Sequence, residues 1–148
     1  MSPALRNRFD TLLEEVLEHL PARLRALLDE VPLIVDDRPD AALARELYAE
    51  LGHEEGETVE EFASTLCGLH TGVALTERSV QQSGDVPDHI RIFREGIVNV
   101  AGGWEPQENE TAAEVDDAVY EEIQITVLHE IGHHFGLDER QLEELGYG

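Results

Sequence analysis

Residues 111–136 read TAAEVDDAVYEEIQITVLHEIGHHFG, and this stretch decides the fold. Thr111 with Glu114 makes a capping box, in which hydroxyl and carboxylate satisfy free amide groups at a helix start. Gly136 stands where a helix C-terminus wants a left-handed residue. The pattern predicts one long helix carried to about Phe135. Leu128, Ile131 and Phe135 mark its C-terminal end as partly buried.

Near that end lies His129-Glu130-Ile131-Gly132-His133. Histidines four residues apart sit about 40° apart around a helix, one turn above the other. Their imidazole nitrogens can converge on one metal ion at about 2.0–2.1 Å. Glu130 is rotated by roughly 100° from His129. It stands beside the ligands and not among them, where a carboxylate can hold a metal-bound water and take its proton. The competing reading of this HExxH pattern is a solvent-facing helix that happens to carry two histidines.

A catalytic zinc has three protein ligands and leaves a position open for water. Only 15 residues follow His133, too few for a second long helix that brings back a distant glutamate. The extended pattern is His129-Glu130-x-x-His133-x-x-Gly136-x-x-Glu139. A turn at Gly136 lets the chain double back and offer Glu139 to the metal. Asp138 is the neighbouring alternative. His134 points to a different face and is read as a packing or supporting residue.

Outward from this helix the chain alternates short elements. Leu5, Phe9, Leu12, Leu13, Val16, Leu17 and Leu20 recur at three- and four-residue steps and form one apolar helical face. Pro21 suits the first turn of a short second helix through Leu28. Leu33-Ile34-Val35 reads as a buried strand before the turn Asp36-Asp37-Arg38-Pro39. Asp40 can cap a third helix with Leu43, Leu47 and Leu51 aligned and Gly52 as its stop. Thr58 with Glu61 makes a capping box for one more turn. A strand is favoured around Leu69, Thr71, Val73 and Leu75, and residues 76–88 read as loop. His89 to Arg94 alternates as a half-exposed strand, and Glu95-Gly96 is expected to turn it into a second strand, Ile97 to Val100. The order predicts an α+β fold with a small mixed sheet packed against N-terminal helices and the long motif-bearing helix.

The chain has 148 residues, enough for one domain spanning 1–148 with its own core. Acidic residues number 33 and basic residues 10, for a formal charge of −23. Such a field repels polyanions and anionic membrane surfaces, so neither nucleic acid nor membrane is an expected partner. No apolar run approaches a membrane span, and the N-terminus lacks the apolar stretch of a signal peptide. Cys67 is the only cysteine, so no internal disulfide forms, and a reducing cytoplasm is the expected location. Its expected role is that of a small buried hydrophobe.

The run Thr126 to Glu139 closely resembles the minimal zincin-like metallopeptidases of bacteria. Leu75-Thr76-Glu77-Arg78 and Pro87 to Arg94 are similar to other stretches of that family. The resemblance spans roughly residues 20–148, strongest at the C-terminal helix. It implies a compact zincin core and peptide-bond hydrolysis. Family members tend to carry aspartate at the position of Glu139. Metzincins share the motif but add a methionine turn downstream, and the only methionine here is Met1.

The expected function is therefore a zinc-dependent peptidase, with Zn2+ held by His129, His133 and Glu139. Glu130 is the expected general base toward a zinc-activated water, and the substrate is a peptide or unfolded protein segment. His89 to Arg94 is the candidate edge for an extended substrate. Tyr147, Arg91 and His134 are the candidate oxyanion donors, with nothing in the spacing to choose among them. Trp104 either lids the cleft or packs under its own loop. The alternative function is a non-catalytic zinc-binding module that holds peptides or regulates a partner. A metal-dependent hydrolase of another bond also fits the motif.

Overall fold

Ser2 opens the first helix, α1 (Pro3–His19), by accepting the Leu5 N–H on its hydroxyl at 3.2 Å. In the computed structural model, residues 1–51, 55–70 and 89–144 are described, without the side chains of Leu51, His70 and Glu139. Phe9, Leu12, Leu13 and Val16 are the buried face of α1, as the leucine spacing predicts. Pro21 stands just before α2 (Ala22–Glu30), with no side-chain capping bond, and β1 (Leu33–Asp36) follows. Asp40 accepts the Leu43 N–H at 2.8 Å and starts α3 (Ala41–Leu51). Thr58 caps α4 (Val59–Ser64) through the Glu61 N–H at 3.1 Å. Among the described residues, the strands β2 (Gly68–His70) and β3 (Ile90–Phe93) join β1 in the sheet. Three helices then follow: α5 (Arg94–Ala101), α6 (Ala112–Phe135) and α7 (Glu139–Glu144).

The sheet is mixed, in the order β1-β3-β2. β1 runs parallel to β3 with Leu33 opposite Ile90, and β2 runs antiparallel to it with Gly68 opposite Ile92. The helix α6 packs against β2 and β3 on one side and against α1 and α5 on others. Ile90 and Ile92 from β3, Ile97 and Val98 from α5, and Val119, Ile123, Val127 and Ile131 from α6 share one apolar cluster with the α1 face. The fold is α+β, with a small mixed sheet against a long helix.

Three expectations change. The second strand of the proposed hairpin, Ile97 to Val100, is instead helix α5. β3 is already paired along both edges, so a following strand would find no backbone groups to bond. Ile97 and Val98 are buried while Asn99 and Val100 are exposed, which is a helical grouping and not an alternation. The strand expected over His89 to Arg94 forms over Ile90–Phe93, where it is central and largely buried, and not an exposed edge open to a substrate. β1 is half-buried along its whole length and lies at the edge of the sheet among the described residues. Residues 71–75 of the second predicted strand, the loop at 76–88, and the stop at Gly52 lie outside the described residues.

Helix α1 is tied to the sheet by charge. The Arg94 guanidinium, 12% exposed, bonds Asp10 on α1 at 2.9 Å and Asp37 after β1 at 3.0 Å. Arg6 reaches the same Asp37 at 2.6 Å. Trp104 packs against the core with Arg8 stacked 4.4 Å over its ring. That is the packing role and not a lid. Among the described residues no helix is long and apolar enough to cross a membrane.

Candidate metal centre

Helix α6 starts and stops where its sequence says it should. Thr111 accepts the Glu114 N–H at 3.2 Å, and Gly136 takes the left-handed conformation at φ 68°. The first half of the helix buries one face, through Val115, Val119 and Ile123. The second half is enclosed on most sides, through Thr126 to Leu128 and Glu130 to Gly132. His129 and His133 are exposed between and after those buried runs. They lie one turn apart with ring centroids 4.0 Å from each other and planes at 51°.

Glu130 turns the other way. It is 7% exposed, on the side of α6 that faces β2. Gly68 lies against its side chain: a methyl group on Gly68 would stand 2.9 Å from Glu130 Cγ, 3.1 Å from Cδ and 3.2 Å from Oε1. Burial pushes the Glu130 carboxyl above its ordinary value, and positive charge on His129 and His133 pulls it back. The helix end thus carries two solvent-exposed imidazoles and one buried acid side by side.

Beyond Phe135 the chain reverses. The N–H groups of Gly136 and Leu137 both reach the Gly132 carbonyl, the latter at 2.7 Å. The returning chain passes so near the motif that a methyl on Gly132 would stand 3.0 Å from the Leu137 carbonyl oxygen and 3.4 Å from Leu142 Cδ1. Glycine inside the motif therefore lets α7 fold back on α6. Asp138 Oδ1 accepts the Gln141 N–H at 2.8 Å, and Gln141 Oε1 accepts the Asp138 N–H at 2.9 Å. This reciprocal pair is a capping box. The Asp138 carboxylate is thereby engaged at the start of α7, and Glu139 is that helix's first residue.

The structure brings His129, His133 and Glu130 together at the end of α6. Among the described residues no group of three or more histidine, cysteine, aspartate or glutamate side chains stands ready to hold a metal. The side chain of Glu139 lies outside those described. The donor set that is present nevertheless fits zinc: two neighbouring imidazoles open to solvent, with an acid beside them and not in their line.

The other named residues are placed as follows. The His134 ring meets Phe135 edge to face, with centroids 4.9 Å apart, which is a packing role. Arg91 pairs with Asp36 across β3 and β1 at 3.4 Å. Tyr147 lies outside the described residues. Gly68 and Gly132 are the site residues that spacing does not single out. Their importance comes from backbone approaches between elements distant in sequence.

Two comparisons bear on this geometry. The family model described as zincin-like metallopeptidase matches residues 28–148. No curated protein matches the chain.

Proposed function

The chain belongs to the zincin-like metallopeptidase family, and from that premise we propose that it is a zinc-dependent peptidase. His129, His133 and Glu139 hold the ion, and Glu130 is the general base. The observation that carries the reading is the division of labour at one helix end. His129 and His133 lie side by side and exposed, while Glu130 is buried next to them. For the third ligand, Asp138 is engaged as a helix cap, and Glu139 opens α7 directly after the reversal.

When bound, zinc supplies a Lewis acid that polarises a peptide carbonyl and lowers the pKa of a water to about 7. The remaining steps belong to the chain. Glu130 orients the attacking water by hydrogen bonding, takes its proton, and passes that proton to the leaving amine. Packing against β2 shields this carboxylate from bulk water, which keeps the proton on a short path. The substrate is a peptide or an unfolded segment. The charge of −23 draws in basic peptides in preference to acidic ones.

The test is zinc content by plasma mass spectrometry on the wild type, His133→Ala and Glu130→Gln, beside cleavage of a peptide library. The expected result is about one zinc per chain in the wild type and in Glu130→Gln, and little in His133→Ala. Cleavage is expected in the wild type alone. Failure of the wild type to take up zinc, even when zinc is added back, defeats the reading. Zinc uptake with peptide binding but no cleavage would favour the non-catalytic module instead.

A further inference from the structure

We propose that Gly68 is a positioning residue for the general base: the bare backbone of β2 forms the seat of the Glu130 side chain, and a side chain at position 68 displaces it. This rests on the peptidase reading. The three atoms nearest a methyl on Gly68 all belong to the Glu130 side chain, at 2.9, 3.1 and 3.2 Å. No approach under 3.0 Å is tolerated without movement, so one partner must shift.

The surroundings decide which one. The segment Leu66 to Gly68 is also held by α5 and β3. A methyl on Gly96 of α5 would fall 1.9 Å from the Leu66 carbonyl oxygen, so α5 already touches this backbone. The Cys67 carbonyl accepts the Phe93 N–H at 2.8 Å, and Gly68 is paired with Ile92 in the sheet. Strand β2 cannot retreat without breaking that pairing. Glu130 has rotatable bonds and can swing aside. Substitution at Gly68 therefore costs the orientation of the carboxylate before it costs the fold. At Gly96 the atom met is backbone, and there the fold itself must give.

The experiment compares zinc-loaded full-length wild type with Gly68→Ala. The expected result is a kcat lowered by roughly tenfold to a hundredfold, a KM within about twofold, and the same zinc per chain. A thermal-melting cycle of Gly68→Ala with Glu130→Ala gives a readout independent of cleavage. Gly68→Ala is expected to lower the melting temperature when Glu130 is present and to leave it unchanged in Glu130→Ala, where the space is free. Full kcat in Gly68→Ala overturns the proposal. So does additivity in the cycle, and so does loss of zinc or fold in step with activity, which would make Gly68 merely structural. If the wild type cleaves nothing while the cycle still shows coupling, the peptidase reading fails and the seat of Glu130 stands.

Discussion

Cys67 sits half-buried, with its sulfur 3.6 Å from the Thr65 carbonyl oxygen. Burial pushes its thiol up to about 11 from 9.0, the charges of Glu122 and Glu130 add to the effect, and a hydrogen bond with Thr126 opposes it. At neutral pH the thiolate is then about a hundredfold scarcer than for an ordinary thiol, and the thiolate is the nucleophile. Alkylation by iodoacetamide at pH 7 is expected to be at least about a hundredfold slower in the folded protein than in urea. The folded rate should climb roughly tenfold per pH unit until the thiol ionises. Equal rates in the two states would remove the case for an inert, packed cysteine. The sequence leads one to expect a small buried hydrophobe from the chemistry of the residue, and the structure makes it a partly buried one packed against the core. Its closeness to Glu130 does not follow, because 63 positions separate them and only the packing of β2 on α6 closes the gap.

Among the elements, α7 shows how a cap can serve a site. Asp138 and Gln141 cap each other reciprocally, and the sequence carries that signal in the spacing Asp138-x-x-Gln141. Asp138→Ala removes one side of the box and should cost about 1 kcal/mol. In the proposed centre it should also loosen the hold on zinc, because it frays the first turn, where Glu139 stands. Competition against a zinc chelator is expected to show weaker affinity than wild type but stronger than His133→Ala. Unchanged zinc affinity would argue that the third ligand lies elsewhere. The misread hairpin at Ile97 belongs to the same scale. Alternation along β3 is genuine, since Arg91 is turned out between buried Ile90 and Ile92. Whether the next residues continue the sheet depends on whether an edge remains free, and β1 and β2 occupy both.

At the scale of the molecule, an acidic chain spends its few cations on ties between elements. Asp37 is held below its ordinary value of 3.8, first by the hydrogen bond from Arg6 and also by Arg94, against the opposing effect of burial. A carboxylate with a lowered folded pKa stabilises the fold above its unfolded pKa and loses that contribution as pH falls through the folded value. The melting temperature of Asp37→Asn is therefore expected to lie below wild type by a constant margin above about pH 5, with the margin shrinking as pH drops below about 4. A margin that persists undiminished into strong acid would show that the charge on Asp37 is not what binds α1 to β1 and α5. Arg6 and Asp10 from α1 and Arg94 from α5 join the same network, so its loss is felt across the sheet and the N-terminal helix together.

The sequence by itself determined most of the helices and the histidine pair one turn apart. Caps at Asp40, Thr58 and Thr111, the stop at Gly136, and the four-residue spacing of His129 and His133 act within a turn or two of chain, so they are legible residue by residue. Only the tertiary structure decided that β3 is central, that Ile97 to Val100 lie in a helix, and that Glu130 rests against Gly68. Each of those depends on which distant backbone arrives beside which. That is settled by the joint burial of apolar faces and the pairing of strand edges, and no local pattern encodes it.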